Sequence, residues 1–226
     1  MPRPLRLMTW NVRSLRDDRG AVIRVLRACA PDVLFVQEAP RFFRAQSKLA
    51  AVARESGMVV AAGGKPAAGV ALLTTLRVDV DAASSVLLPR TKGLHQRGLA
   101  VARLAVAGRT FTAASLHLGL DADERRRHAD EILRILGGRD QPWVVAGDFN
   151  EKADAPAWHA LAAGHEDVGA AHDRPTFPAS APRRRIDTVL VPQGWTFSVV
   201  SPSDIVGETD LIAATDHRPV VVDVVG

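Results

Sequence analysis

A mixed-sheet α/β layered domain is the fold class this sequence predicts, on three observations. Apolar segments of strand length recur from Leu5 to Val224, outnumbering helical ones. Helix-spaced apolar residues fall between some of those segments, as in Val22, Ile23, Val25 and Leu26. Other neighbouring segments are joined by tight turns, of which Ala107-Gly108-Arg109 is the clearest. Hairpins and helical connections together call for antiparallel and parallel pairing in the same sheets.

Taken in order, Leu5–Trp10 reads as a first strand and Gly20–Cys29 as a helix stopped by Pro31-Asp32. Val33–Gln37 is a short buried strand, and Arg41–Arg54 a second helix. Gly57–Leu73 holds two short strands around a Gly63-Gly64-Lys65-Pro66 turn. Val78–Leu88 and Gly98–Ala107 read as strands joined by the polar loop Pro89–Arg97, and Thr110–Leu118 follows as the next strand. Asp121 is placed to cap a helix over Ala122–Leu136, with Glu124 as its capping-box partner and Gly137-Gly138 ending it. Trp143–Gly147 is a buried strand and Pro156–Ala162 a short helix. Ile186–Val191, Thr196–Val200 and Pro219–Val224 are late strands.

The 226 residues carry 29 Lys+Arg against 25 Asp+Glu, for a net charge of +4, with 47% hydrophobic and 24% charged residues. That balance excludes a disordered or low-complexity chain, and residues 1–226 read as a single domain. One cysteine, Cys29, allows no internal disulfide. No apolar run approaches the roughly 20 residues that span a bilayer, and Met1–Arg6 lacks a leader's apolar stretch, so the expected location is cytoplasmic. Only Lys48, Lys65, Lys92 and Lys152 are lysines, so 25 of the cations are arginine. Arginine suits phosphate through paired planar hydrogen bonds, and a solvated basic surface is an equal reading of the charge alone.

Polar residues repeatedly fall at strand ends. Asn11 follows the first strand, Glu38 the second, and His117 closes the strand begun at Thr110. Asp148 and Asn150 follow Trp143–Gly147, Asp187 opens a strand, and Asp216-His217 precedes the last one. Such a set gathers on one rim of a sheet, where active sites of layered folds form. Asn, Glu and Asp are hard oxygen ligands suited to Mg²⁺ or Mn²⁺, whereas a lone cysteine and no His-rich spacing speak against zinc. Each residue alone has a plainer reading. Asn11 can cap a turn, Asp148 with Asn150 can make an Asx-turn, Asp187 can pair with Arg183–Arg185, and His217 can be a structural histidine. The ordered set is what favours a site.

Six blocks in that order resemble the endonuclease/exonuclease/phosphatase superfamily, the DNase I-like fold. They are Thr9-Trp-Asn11-Val12, Val36-Gln37-Glu38, Ser115-Leu-His117-Leu118, Gly147-Asp148-Phe149-Asn150, Arg185-Ile186-Asp187 and Thr215-Asp216-His217-Arg-Pro-Val220. The resemblance implies a four-layer α/β sandwich, two mixed β-sheets face to face with helices outside. It also implies hydrolysis of a phosphate ester with Mg²⁺ or Mn²⁺. On that resemblance Glu38 is the principal metal ligand, with Asn11 and Asp216 beside it. Asp148 and Asn150 position water and phosphate, and His217 is a catalytic histidine oriented by Asp187. His117 matches the second histidine of the DNase I-like and sphingomyelinase-like branches. Which of His117, His217 and Asp148 serves as acid or base stays open, as does the choice of one metal or two.

The departures are informative. The chain has no tyrosine, and His117 stands in the block where apurinic-site endonucleases carry one. The Val-Arg-Ser-Leu-Arg run after Asn11 keeps only part of that branch's pattern, and the chain is short for the family. The expected activity is therefore that of a metal-dependent phosphodiesterase, a nuclease acting on DNA or RNA, favoured as a monomer. A phosphatase or a phospholipid phosphodiesterase (inositol-phosphate or sphingomyelinase-like) is the alternative, and a silent nucleic-acid-binding domain a third. Arg97, in a basic loop with Arg90, Lys92 and His95, and Arg185, beside Asp187, are the expected phosphate contacts. Arg125–Arg127 reads as a salt-bridged helix face, and Trp10 and Trp158 are candidate stacking aromatics, with core packing favoured for Trp10.

Overall fold

The computed structural model describes residues 3–138, 141–170 and 174–225; Met1-Pro2, which begin the segment read for a leader, lie outside them. The strands are β1 (Leu5–Asn11), β2 (Val33–Gln37), β3 (Val59–Gly64), β4 (Val70–Thr74), β5 (Asp79–Leu87), β6 (Gly98–Val106), β7 (Arg109–His117), β8 (Trp143–Asp148), β9 (His165–Asp167), β10 (Asp187–Pro192), β11 (Thr196–Val200) and β12 (Val220–Val225). The helices are α1 (Arg19–Cys29), α2 (Ala45–Glu55), α3 (Ala122–Gly137), α4 (Pro156–Ala162) and α5 (Glu208–Ala214).

The strands form two sheets, ordered β11-β12-β1-β2-β4-β3 and β5-β6-β7-β8-β10-β9. Both are mixed. β1 runs parallel to β2 in the first sheet and β7 parallel to β8 in the second, and every other pairing is antiparallel. Three apolar clusters then separate four layers. Leu7, Phe35, Leu72, Leu104, Phe111, Val144 and Val189 fill the space between the sheets. Met8, Trp10, Leu34 and Val36 face outward onto Val22, Leu26, Leu49 and Leu211 of α1, α2 and α5. Val145 and Leu190 face outward onto Ile132, Leu136, Trp158 and Leu161 of α3 and α4. Because β1 and β2 are covered on both faces, they read as continuous apolar runs rather than as alternating ones.

This is the predicted four-layer sandwich, with local differences. The second helix starts at Ala45 rather than Arg41, because Arg44 is left-handed (φ 57°) and cannot continue a helix. Both α5 and the three-residue β9 fall in stretches that carry no periodic signal. The Asp121 cap is present, its carboxylate accepting from the Glu124 N–H at 2.8 Å, but the Glu124 side chain is buried against Gly119. Cys29 is buried in the outer cluster, and burial pushes its thiol up to about 11, an unreactive state. Among the described residues, no helix is long and apolar enough to cross a membrane.

Pairing direction explains where the polar residues gather. The two parallel pairs end together, Asn11 opposite Gln37 and His117 opposite Asp148. An antiparallel neighbour begins where its partner ends, so β10 opens with Asp187 opposite Asp148, and β12 is entered through Asp216-His217 beside the end of β1.

Gly147, just before Asp148, is required by space rather than by backbone angle: a Cβ there would drive into the Leu116 carbonyl oxygen of the neighbouring strand. Gly147→Ala is therefore expected to lower unfolding free energy by about 2–3 kcal/mol. Gly137→Ala, exposed at the end of α3 with nothing near its added methyl, should raise it by up to about 1 kcal/mol. Urea denaturation of the two variants measures both; equal midpoints would contradict the packing argument.

Candidate active site

The rim residues converge where the two sheets meet. Asn11 Nδ2, at the end of β1, donates to Asp148 Oδ2 at 3.1 Å across the seam and to Glu38 Oε1 at 3.3 Å. Its Oδ1 accepts the Arg13 N–H at 3.0 Å, which fixes the orientation of the amide. The amide nitrogen thus faces the acids of both sheets, Glu38 on its own side and Asp148 across the seam.

Glu38 is half-buried and left-handed (φ 52°), a conformation of order 1 kcal/mol unfavourable for such a residue. Flanking backbone bonds hold it there, Ser14 N–H to the Glu38 carbonyl at 2.7 Å and Ala39 N–H to the Gly69 carbonyl at 2.7 Å. Its carboxylate takes one hydrogen bond among the described residues, the one from Asn11. Asp216, also half-buried, accepts from Thr215 Oγ1 at 3.4 Å and lies 3.4 Å from Arg13 Nε.

Behind them stands a buried chain of acids and imidazoles. Thr176 Oγ1 donates to Asp187 Oδ2 at 2.6 Å, and Asp187 Oδ2 lies 3.0 Å from His217 Nδ1. His217 Nε2 then faces Asp148 Oδ2 at 3.8 Å. Asp148 Oδ1 accepts the Asn150 N–H at 2.9 Å, and the Asn150 amide lies 3.0 Å from His117 Nε2 and 3.0 Å from the Leu118 carbonyl. Asn150 holds its turn at φ 54°, which asparagine tolerates. The strand entering β12 is pinned to β1 by Trp10 Nε1, which donates to the His217 carbonyl at 2.8 Å, and by Thr215 Oγ1, which donates to the Asn11 carbonyl at 3.0 Å. Below the site, Gln37 Nε2 lies 3.1 Å from Thr9 Oγ1 and 3.3 Å from Ser115 Oγ, a polar link between the sheets.

The electrostatics separate the two histidines. Burial opposes charge on His217, but the Asp187 carboxylate, with Asp148 and Asp216 beyond it, outweighs burial and raises the imidazole to about 9. Burial, helped by the charges of Arg97, His217 and Arg41, holds His117 well below the usual histidine range and so neutral. Burial and then the Asp187 charge push the Asp148 carboxyl up, against the pull of His217 and Asn11. Ligand atoms of Asp148, Asp187 and His217 lie within 4.8 Å of one another, a grouping that could hold a metal ion.

The basic residues divide. Arg97 is held near the acids, where burial lowers its guanidinium against the fields of Asp148, Glu124 and Glu38, and its buried Nε has no hydrogen-bond partner among the described residues. Arg90, Lys92 and His95 are exposed. Arg185, expected at the phosphate, is turned away: it pairs with Asp167 at 2.9 Å and lies over the Trp158 ring at 4.9 Å. Arg185 precedes the strand that Asp187 opens, and its guanidinium lies on the side of Asp167 and Trp158. Trp158 is 1% exposed and so cannot stack on a base, and Trp10 is core, as expected. Arg125 pairs with Glu151 at 2.6 Å. Sequence reasoning missed Thr176, whose segment carries no strand signal, and Arg41, three residues after Glu38.

The Endonuclease/Exonuclease/phosphatase family model matches residues 8–217, from β1 through His217. The chain belongs to this family. Solved structures of similar fold include a mannosyl-6-phosphatase of Bacteroides thetaiotaomicron, at 17% identity and TM-score 0.77, covering 98% of this chain and 100% of that one. TDP2 of D. rerio, complexed with a single-strand DNA product, matches at 19% identity and TM-score 0.76, covering 98% and 99%. The human Nocturnin catalytic domain with bound sulfate matches at 17% and 0.72, covering 99% and 93%. No curated protein sequence matches the chain. Endonuclease/exonuclease/phosphatase proteins are phosphoric ester hydrolases, and these three neighbours share the fold.

The charged His217 gives a pH test. Its pKa lies above the ordinary 6.5, so its contribution to stability, up to about 3 kcal/mol, is complete below pH 6.5 and lost as pH rises through about 9. In chelator, the melting temperature should fall over that window. Asp187→Asn leaves burial as the largest influence on His217, and the fall attributable to that histidine should disappear. An identical decline in both proteins would refute the pairing.

Proposed function

We propose that this chain is a Mg²⁺- or Mn²⁺-dependent phosphodiesterase that hydrolyses nucleic-acid phosphodiester bonds. The observation that carries the reading is the Asp187–His217–Asp148 chain standing beside a Glu38 carboxylate left with a single 3.3 Å hydrogen bond. Glu38 and Asp216, half-buried hard oxygen donors, would hold the cation, with Asn11 orienting Glu38. The buried Asp148–Asp187–His217 grouping suits a different role, since His217 Nδ1 and both its carboxylate partners are already hydrogen-bonded to one another or to Thr176 and Asn11. When bound, the cation neutralises charge on the phosphoryl and leaving oxygens.

The remaining work falls to the chain. Asp148, its carboxyl raised toward neutrality, accepts the proton of the attacking water. His217 keeps its Nε2 proton because Asp187 supports the imidazolium, and donates it as a hydrogen bond to a phosphoryl oxygen. Asn150 and neutral His117 fix the other side of the phosphate, and Arg97 adds charge for the phosphate group. The nuclease assignment within this chemistry draws on Arg41 and Arg97 near the acids and on the net charge of +4.

With Mg²⁺ or Mn²⁺ the protein should nick plasmid and cut oligonucleotides, and chelator should abolish both. Glu38→Ala, Asp148→Asn and His217→Ala should each lower kcat by at least about a hundredfold while retaining a cooperative melt. Sugar phosphates, inositol phosphates and sphingomyelin complete the panel. Intact nucleic acid alongside phosphate release from one of these would replace the nuclease reading with a phosphatase one.

A further inference from the structure

Phe42 and Phe43 are 79% and 80% exposed, whereas the other five phenylalanines are buried or half-buried. They sit on the segment between Glu38 and α2, whose two ends are left-handed turns at Glu38 (φ 52°) and Arg44 (φ 57°). That segment is anchored on the turn between β3 and β4. Ala39 N–H bonds the Gly69 carbonyl at 2.7 Å, and the Arg41 side chain reaches the Ala68 carbonyl at 3.5 Å and covers Gly69. The backbone that leads to the two rings is therefore anchored beside Glu38. Phe42 lies four positions after Glu38, at most about 14 Å of chain, or about four stacked bases.

The surroundings are cationic. Arg41, Arg44 and Lys65 line, with the two phenyls, an open recess of about 630 Å³. Arg41 is close enough to the acidic centre for its charge to bear on His117, so positive charge runs from the site to the rings.

We propose that Phe42 and Phe43, flanked by Arg41, Arg44 and Lys65, form a stacking platform for the unpaired bases of a single-stranded nucleic-acid substrate. The platform rests on the nuclease reading only for the position of the scissile phosphate, at Glu38. Two adjacent rings bracketed by Arg41 and Arg44 offer faces for bases and charge for the phosphates on either side. A duplex hides its base faces within the stack and offers the phenyls nothing equivalent.

The test measures binding without turnover. A fluorescein-labelled oligothymidylate of about fifteen nucleotides is titrated with the full chain in chelator, and its anisotropy followed. F42A/F43A should weaken Kd about 10- to 100-fold. F42W/F43W should retain binding and show quenching of tryptophan fluorescence. A duplex of equal length should bind the wild type and F42A/F43A equally. Equal oligothymidylate affinity for the wild type and F42A/F43A overturns the platform, as does failure of the wild type to bind it. Binding of phosphatidylserine vesicles that is lost in F42A/F43A, with no oligonucleotide binding, assigns the rings to a lipid surface and also overturns it. The nuclease reading fails separately: a wild type that binds and discriminates but cuts nothing with Mg²⁺ or Mn²⁺ keeps the platform and loses the nuclease.

Discussion

Asn11 and Asp148 belong to different sheets, and the 3.1 Å hydrogen bond between them closes the seam on which the site is built. A carboxylate 1% exposed needs donors or cations, because desolvation otherwise drives it to take up a proton. Asp148 finds the Asn11 amide on one side, the Asn150 N–H on another and His217 beyond. Those contacts exist only if the sheets pack face to face with their two parallel pairs ending at the same rim. Packing of the core and the chemistry of the site are thus one constraint. The Thr9–Gln37–Ser115 link beneath repeats the arrangement in neutral groups.

The seam also sorts charge. Glu38, Asp148, Asp187 and Asp216 are four of 25 acids, gathered at one pole of a chain with a net charge of +4. The rest of the surface is correspondingly more positive, with Arg41 and Arg97 at the edge of the pole. The same crowding sets the two histidines apart. His217 has the Asp187 carboxylate at Nδ1 and holds charge, whereas His117, with the Asn150 amide 3.0 Å and Asp148 Oδ2 3.4 Å from its Nε2, stays neutral because burial and then Arg97 oppose its charge.

Much of this was legible from residue order. The strands from Leu5 to Val224 and the cap at Asp121 were readable because burial on both faces leaves continuous apolar runs and because capping is local. Glu38, Asp148 and His217 were readable because strand ends are where rims form. The signal failed where direction mattered more than order. Arg185 adjoins the Asp187 block yet points to Asp167, and Trp158 is sealed under Arg185. Thr176 lies eleven residues from Asp187 in a stretch with no regular pattern, and only the folded chain brings its hydroxyl to that carboxylate.

By itself, the sequence determined the layer type, the positions of most strands and the set of oxygen and imidazole groups at their ends. These follow from periodicity and turn chemistry, which act over a few residues. Only the tertiary structure decided which of those groups face one another, which histidine carries the charge, and which arginine reaches the acids. Field and solvation at a buried group depend on neighbours from other strands, and on this seam those neighbours lie as far apart in sequence as Asn11 and Asp148.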